Sequence, residues 1–116
     1  MKRFFAAGAA ILAICGSIAA SAPAFARQLQ PFAIVNNSGY TITHVFVRLD
    51  GMSWSRNWLR YTIRPNQDRD FSFTGGKSCT GKIWLRTQQR AEFNLSVDFC
   101  YGMTFVLTND GLDVEY

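Results

Sequence analysis

The chain is short of the residues on which most enzymes and most helical proteins rely. In 116 residues it has one histidine, His44, three prolines and three cysteines, and only 17% of its positions are charged. Ten of its twelve alanines stand in residues 1–26, so beyond that point the strongest helix former has all but gone. One histidine limits acid–base catalysis. With the two cysteines beyond residue 26 it also leaves too few ligands for a four-coordinate zinc site. A composition that is 48% hydrophobic excludes a disordered chain, and it carries neither the heptads of a coiled coil nor the glycine period of collagen. The length allows one domain.

What is present divides at Ala26. Met1-Lys2-Arg3 is a positive start, an apolar run extends from Phe4 to about Ala20, and Ala24-Phe25-Ala26 puts small residues where a signal peptidase reads them. This combination predicts a secretory signal peptide over residues 1–26. Gly8, Gly16 and Ser17 break the run, which makes it a poor membrane anchor, and Ile14 is too large to precede Cys15 in a lipid-attachment box. Residues 27–116 are expected to form a single all-β domain, exported to the periplasm or the extracellular space, with no anchor after cleavage. They carry 10 Lys/Arg against 8 Asp/Glu, too even a balance for a nucleic-acid binder.

Cys79 and Cys100 remain in the body. An even pair in an exported domain reads as one disulfide, closing a loop of 22 residues. The body alternates with period two. In Glu92–Phe99 the residues Phe93, Leu95, Val97 and Phe99 share one face, and Asp70–Thr74, Lys82–Arg86 and Met103–Thr108 repeat the pattern. Trp84 is expected on an outer face between two cations. Pro31–Val35 and Thr41–Leu49 are apolar on both faces, as central strands are, Trp58–Ile63 reads as a weak strand, and Leu112–Tyr116 as a last edge strand. Asn36-Asn37-Ser38-Gly39 tolerates positive φ and is expected to close a hairpin between the first two strands. Seven or eight short strands predict an antiparallel β-sandwich, with a small β-barrel as the alternative. The expected core is Phe71, Phe73, Ile83, Leu85, Phe93, Leu95, Val97, Phe99, Phe105 and Leu107.

The run Val35-Asn36-Asn37-Ser38-Gly39-Tyr40-Thr41-Ile42, then Trp54 and Leu59, Phe71-x-Phe73, Cys79 and Val97-Asp98-Phe99-Cys100, resembles a family of small exported bacterial proteins, largely uncharacterised. Their pattern starts N-x-[ST]-G-x-x-I and ends D-[LF]-C, and the likeness spans Phe32 to Leu107. It implies a small all-β domain with one disulfide and implies no catalysis. The chain departs from it at Arg48-Leu49, where the family has Ser-Pro, and at Gln88-Gln89-Arg90, where it often has an Asp-Gly turn.

Chemistry-bearing patterns are few. Gly76-Lys77-Ser78 lacks the glycine at position 71 that a phosphate-binding loop needs, so it is a turn. His44 reads as a partly buried structural residue on one face with Ile42 and Phe46. No G-x-S-x-G is present, and Asp110, Asp113 and Glu115 lack calcium-loop spacing. The stretch with recognition chemistry is Met52–Tyr61, where Trp54, Arg56, Trp58, Arg60 and Tyr61 crowd ten residues. The alternative is that its tryptophans plug an open end of the sandwich. The expected function is that of an exported non-catalytic domain, without cofactor or metal. It would bind a protein or cell-envelope component through this stretch. The second reading is a small secreted inhibitor of an envelope-directed enzyme such as a lysozyme or protease.

Overall fold

Period-two alternation becomes two stacked sheets in the computed structural model, which describes residues 27–116; the signal peptide expected over residues 1–26 lies outside them. The described residues form seven strands: β1 (Phe32–Asn37), β2 (Ile42–Leu49), β3 (Asp68–Phe71), β4 (Thr80–Thr87), β5 (Glu92–Asp98), β6 (Met103–Thr108) and β7 (Gly111–Glu115). One sheet has the order β3-β1-β6-β7 and the other β2-β4-β5, so the fold is an all-β sandwich and not a closed barrel. Four of the five strand pairings are antiparallel. β1 and β6 run parallel, with Ile34 opposite Phe105.

Several local expectations change. β1 and β2 lie in different sheets, so Asn36–Gly39 is a crossing between layers and not a hairpin turn. None of its residues adopts positive φ. The motif works instead through the fully buried Asn36 side chain. Its amide donates to the carbonyls of Tyr40 (2.7 Å) and Ile63 (3.0 Å), and its Oδ1 accepts from the Ser38 N–H and hydroxyl. A buried polar group is stable only when satisfied in this way. β2 is an edge strand and not a central one, and Trp58–Ile63 forms no strand beyond an isolated bridge from Ile63 to Ile42. β3 ends at Phe71, two residues before Phe73.

The core between the layers includes Phe32, Ile34, Ile42, Val45, Ile63, Ile83, Leu85, Phe99, Phe105 and Leu107. Phe73, Phe93 and Leu95 are half-buried at its margin. A register shift between Ile42 and His44 places Ile42 and Val45 on the same inner side. His44 therefore leaves the face of Ile42 and joins Phe46 on the outside, as a β-bulge permits. At Gly81, β4 passes so close to β2 that a Cβ would stand 2.3 Å from the Arg48 carbonyl oxygen.

Cys79 and Cys100 are bonded, with Cα atoms 5.1 Å apart. Asp98 braces this end, because its carboxylate accepts from the Cys100 N–H (2.9 Å) and from the Arg27 guanidinium. Desolvation raises the Asp98 carboxyl's pKa, but these hydrogen bonds and the Arg27 charge outweigh it and hold the group below its ordinary value. Asp98 and the two sulfurs lie within 4.8 Å of one another, a cluster the disulfide itself explains. No helix among the described residues is long and apolar enough to cross a membrane.

Candidate functional site

The aromatic, arginine-rich stretch first does a structural task. An edge strand leaves a row of backbone groups open to a foreign strand. Here the loop after β2 closes that row with side chains. Ser55 Oγ accepts from the Val47 N–H (3.0 Å), and Asn57 Oδ1 accepts from the Val45 N–H (2.9 Å). The Ser55 and Trp58 N–H groups donate to the carbonyls of Val47 and Val45, both at 2.9 Å, and the Asn57 amide reaches the Thr43 carbonyl (3.1 Å). Small polar residues at alternate positions, Ser55 and Asn57, bond the strand, while Arg56 between them is exposed. Asn57→Ala removes three of these bonds at once, counting the one from the Leu59 N–H. We expect a loss of about 1–3 kcal/mol in urea unfolding, with faster aggregation through the opened edge. An unchanged midpoint would show that water serves those groups equally well.

The five residues singled out in this stretch separate. Trp58 packs inward, its ring 5.9 Å from Phe32 and 5.4 Å from Phe73. Trp54 is 37% exposed and lies over the outer face of the three-stranded sheet. Trp54, Arg56 and Trp58 together line a groove of about 380 Å³ with Val47, Leu49 and Phe73. Arg60 and Tyr61 are exposed further on, towards the Ile42 end of β2, where Arg69 binds the carbonyls of Tyr61 (3.0 Å) and Thr62 (3.1 Å). Neither Arg56 nor Arg60 forms an ion pair among the described residues.

The larger constellation is the outer face that Trp54 joins. Strand register places its side chains in rows: His44 beside Arg86 and Glu92, Phe46 beside Trp84 and Asn94, Arg48 beside Lys82 and Ser96. An aromatic row thus runs between two rows that carry basic side chains. Phe46 and Trp84 have ring centroids 5.0 Å apart, Trp54 meets Trp84 at 5.5 Å, and His44 stacks on Phe46 at 5.6 Å. Arg48 lies 5.3 Å from the Trp54 ring and Arg86 5.7 Å from the Trp84 ring, which are cation–π distances. Glu92 orients this group by accepting from the Trp84 indole N–H (3.0 Å) and pairing with Arg86 (3.9 Å). Arg48 and Lys82 form no ion pair among the described residues. At the next row Asp50 accepts from the Thr80 hydroxyl and Asp98 from Arg27.

The opposite outer face has the other sign. Its register rows are Asp70–Ala33–Thr104–Glu115 and Asp68–Val35–Val106–Asp113, so four carboxylates border a strip of small residues. Arg69, the cation of that edge strand, turns away to the loop carbonyls. The charged residues of those two rows are all carboxylates, whereas the aromatic side carries Arg48, Lys82 and Arg86 alongside Glu92, with Asp50 and Asp98 in its end row, so an anion meets cations on the aromatic side and repulsion on the other.

No family model and no curated protein matches the chain. A solved structure described as the NMR structure of a protein from Eubacterium rectale is similar over 74% of this chain and 85% of its own, with 16% identity and a TM-score of 0.49.

Proposed function

We propose that this chain is an exported, non-catalytic binding domain whose binding surface is the outer face of the β2–β4–β5 sheet together with Trp54, and that its partner is an anionic component of the cell envelope. The observation that carries the reading is the Phe46–Trp84 row bordered on both sides by basic side chains. Aromatic rings on an outer face contribute nothing to the core between the sheets, and such patches with arginine beside them are where binding energy concentrates. His44, the one histidine, is stacked on Phe46 with Nδ1 2.8 Å from the Thr43 hydroxyl, an arrangement that fixes a ring in place. Export is supported by the leader pattern of residues 1–26, by the resemblance to small exported bacterial proteins, and by the Cys79–Cys100 bond, which persists in oxidising compartments.

Co-sedimentation of the purified protein with an isolated envelope fraction tests this. The Arg48→Ala/Lys82→Ala variant and the Trp84→Leu variant should each lose retention by at least about tenfold, since hot-spot truncations cost about 2 kcal/mol or more. Asp70→Asn on the opposite face should be retained like the parent. Equal retention of all four proteins would reject the surface.

A further inference from the structure

We infer that the ligand of this face is an anionic polysaccharide, a polymer of sugar rings bearing carboxylates; the inference rests on the binding surface proposed above. Two adjacent antiparallel strands each present a basic residue, an aromatic and a basic residue at alternate positions: His44-Phe46-Arg48 on β2 and Lys82-Trp84-Arg86 on β4. Because β2 and β4 pair with Phe46 opposite Trp84, the two triplets align into one pattern with aromatics in the middle and basic groups at both ends. Residues four apart on a strand are about 13 Å apart at ~3.3 Å per residue. The face therefore offers a stacking surface with the unpaired Arg48 and Lys82 on one side and Arg86, paired with Glu92, on the other, the spacing of a polymer of rings and not of one small ion.

Three features narrow the polymer. The faces of sugar rings carry C–H groups that stack on the electron-rich faces of tryptophan and phenylalanine. Asn94 and Ser96 stand on β5 beside the aromatic and basic rows, exposed and without side-chain partners among the described residues, and they are groups that read hydroxyls. Glu92, held at the edge of the Trp84 ring, is a hydrogen-bond acceptor that hydroxyl donors satisfy and phosphates do not. A single-stranded deoxyribonucleic acid could stack on the aromatics, but its backbone has no hydroxyl to offer Glu92, Asn94 and Ser96. An acidic peptide has carboxylates but lacks the ring faces.

The test is a titration followed by tryptophan fluorescence at low and high salt, with oligogalacturonate as the probe. Neutral dextran oligomers, oligo-dT and polyglutamate serve as comparisons. Oligogalacturonate should quench Trp84 and Trp54 emission and bind at least about tenfold more tightly than each comparison, with affinity falling as salt rises. Arg48→Ala/Lys82→Ala should abolish that preference over dextran. Asn94→Ala/Ser96→Ala, two exposed changes that leave the core untouched, should weaken oligogalacturonate several-fold while leaving the binding of polyglutamate unchanged. Equal affinity for polyglutamate or oligo-dT would reduce the face to a charge patch and overturn the inference, and equal affinity for dextran would remove the role of the cations. Sedimentation in the absence of ligand covers the remaining occupant. Salt-sensitive self-association lost in Asp70→Asn would assign the face to the acidic side of a second copy. Envelope retention that depends on Arg48 and Lys82, without any affinity for oligogalacturonate, would keep the surface and overturn the ligand class.

Discussion

Phe32→Ala should be the most damaging single truncation in the domain, at about 3–5 kcal/mol. Phe32 is 3% exposed, and its ring lies 5.2–5.9 Å from five others: Phe71 and Phe105 of its own sheet, Phe99 at the end of β5, Phe73 between β3 and β4, and Trp58 of the loop that covers β2. It is the point where both layers and both long connections meet. Alanine there removes the packing of a whole ring, and the neighbours come from four separate segments that cannot collapse together into the space. Folded domains of this size are stable by about 5–13 kcal/mol, so the loss consumes a large part of the whole. A fall in Tm of more than about 10 °C is expected, with Phe32→Leu showing less than half of it. An alanine variant melting within about 3 °C of the parent would mean that the cluster is loosely packed and that the two layers are held by other contacts.

What could be read from the chain was the part encoded locally. Phe93-x-Leu95-x-Val97-x-Phe99 names its own inner face, and Gln88-Gln89-Arg90 separates two strands short enough to pair as neighbours, which they do from Thr80 opposite Asp98 to Arg86 opposite Glu92. Sheet membership is not local. β1 takes as partners β3 and the distant, parallel β6, and nothing in Phe32–Asn37 distinguishes that choice from a hairpin with β2. The Asn36–Gly39 run misled for a physical reason. Asparagine and glycine favour turns through positive φ, but asparagine and serine also hydrogen-bond the backbone, and here the second property is the one used.

The candidate face divides in the same way. The outward Trp84 between cations was visible, and so was the crowding of Trp54 and its arginines. The join was not, because β4 is the strand beside β2 although β3 lies between them in sequence. The bulge at Ile42–His44 also reverses which residues of β2 point outward. Ser55 and Asn57 were hidden by larger neighbours. Their alternation with Trp54, Arg56 and Trp58 is the period of a strand whose hydrogen bonds are made by side chains.

Reduction of Cys79–Cys100 should be the other large effect, at about 3 kcal/mol for a closed loop of 22 residues. The bond joins the start of β4 to the residue just beyond β5, at the open end of the hairpin that carries half of the candidate face. It adds little order to the folded state, where the Phe99 N–H already donates to the Cys79 carbonyl (2.7 Å) and the Gln30 N–H to the Phe99 carbonyl (2.9 Å). Its contribution lies in the unfolded chain, whose freedom it restricts. With a denaturant slope of about 1–1.5 kcal/mol per M, the urea midpoint should fall by roughly 2–3 M on addition of dithiothreitol. A Cys79→Ala/Cys100→Ala variant should match the reduced protein and ignore the reductant, and native protein should weigh two hydrogens less than its reduced form. Trp84 lies inside this hairpin, so quenching by ligand and the folded signal should disappear at the same urea concentration in the reduced protein. Free thiols in protein purified without reductant, or a midpoint unmoved by reduction, would overturn this account. Binding lost well before the fold would show that the bond sets the shape of the face and does more than confine the unfolded chain.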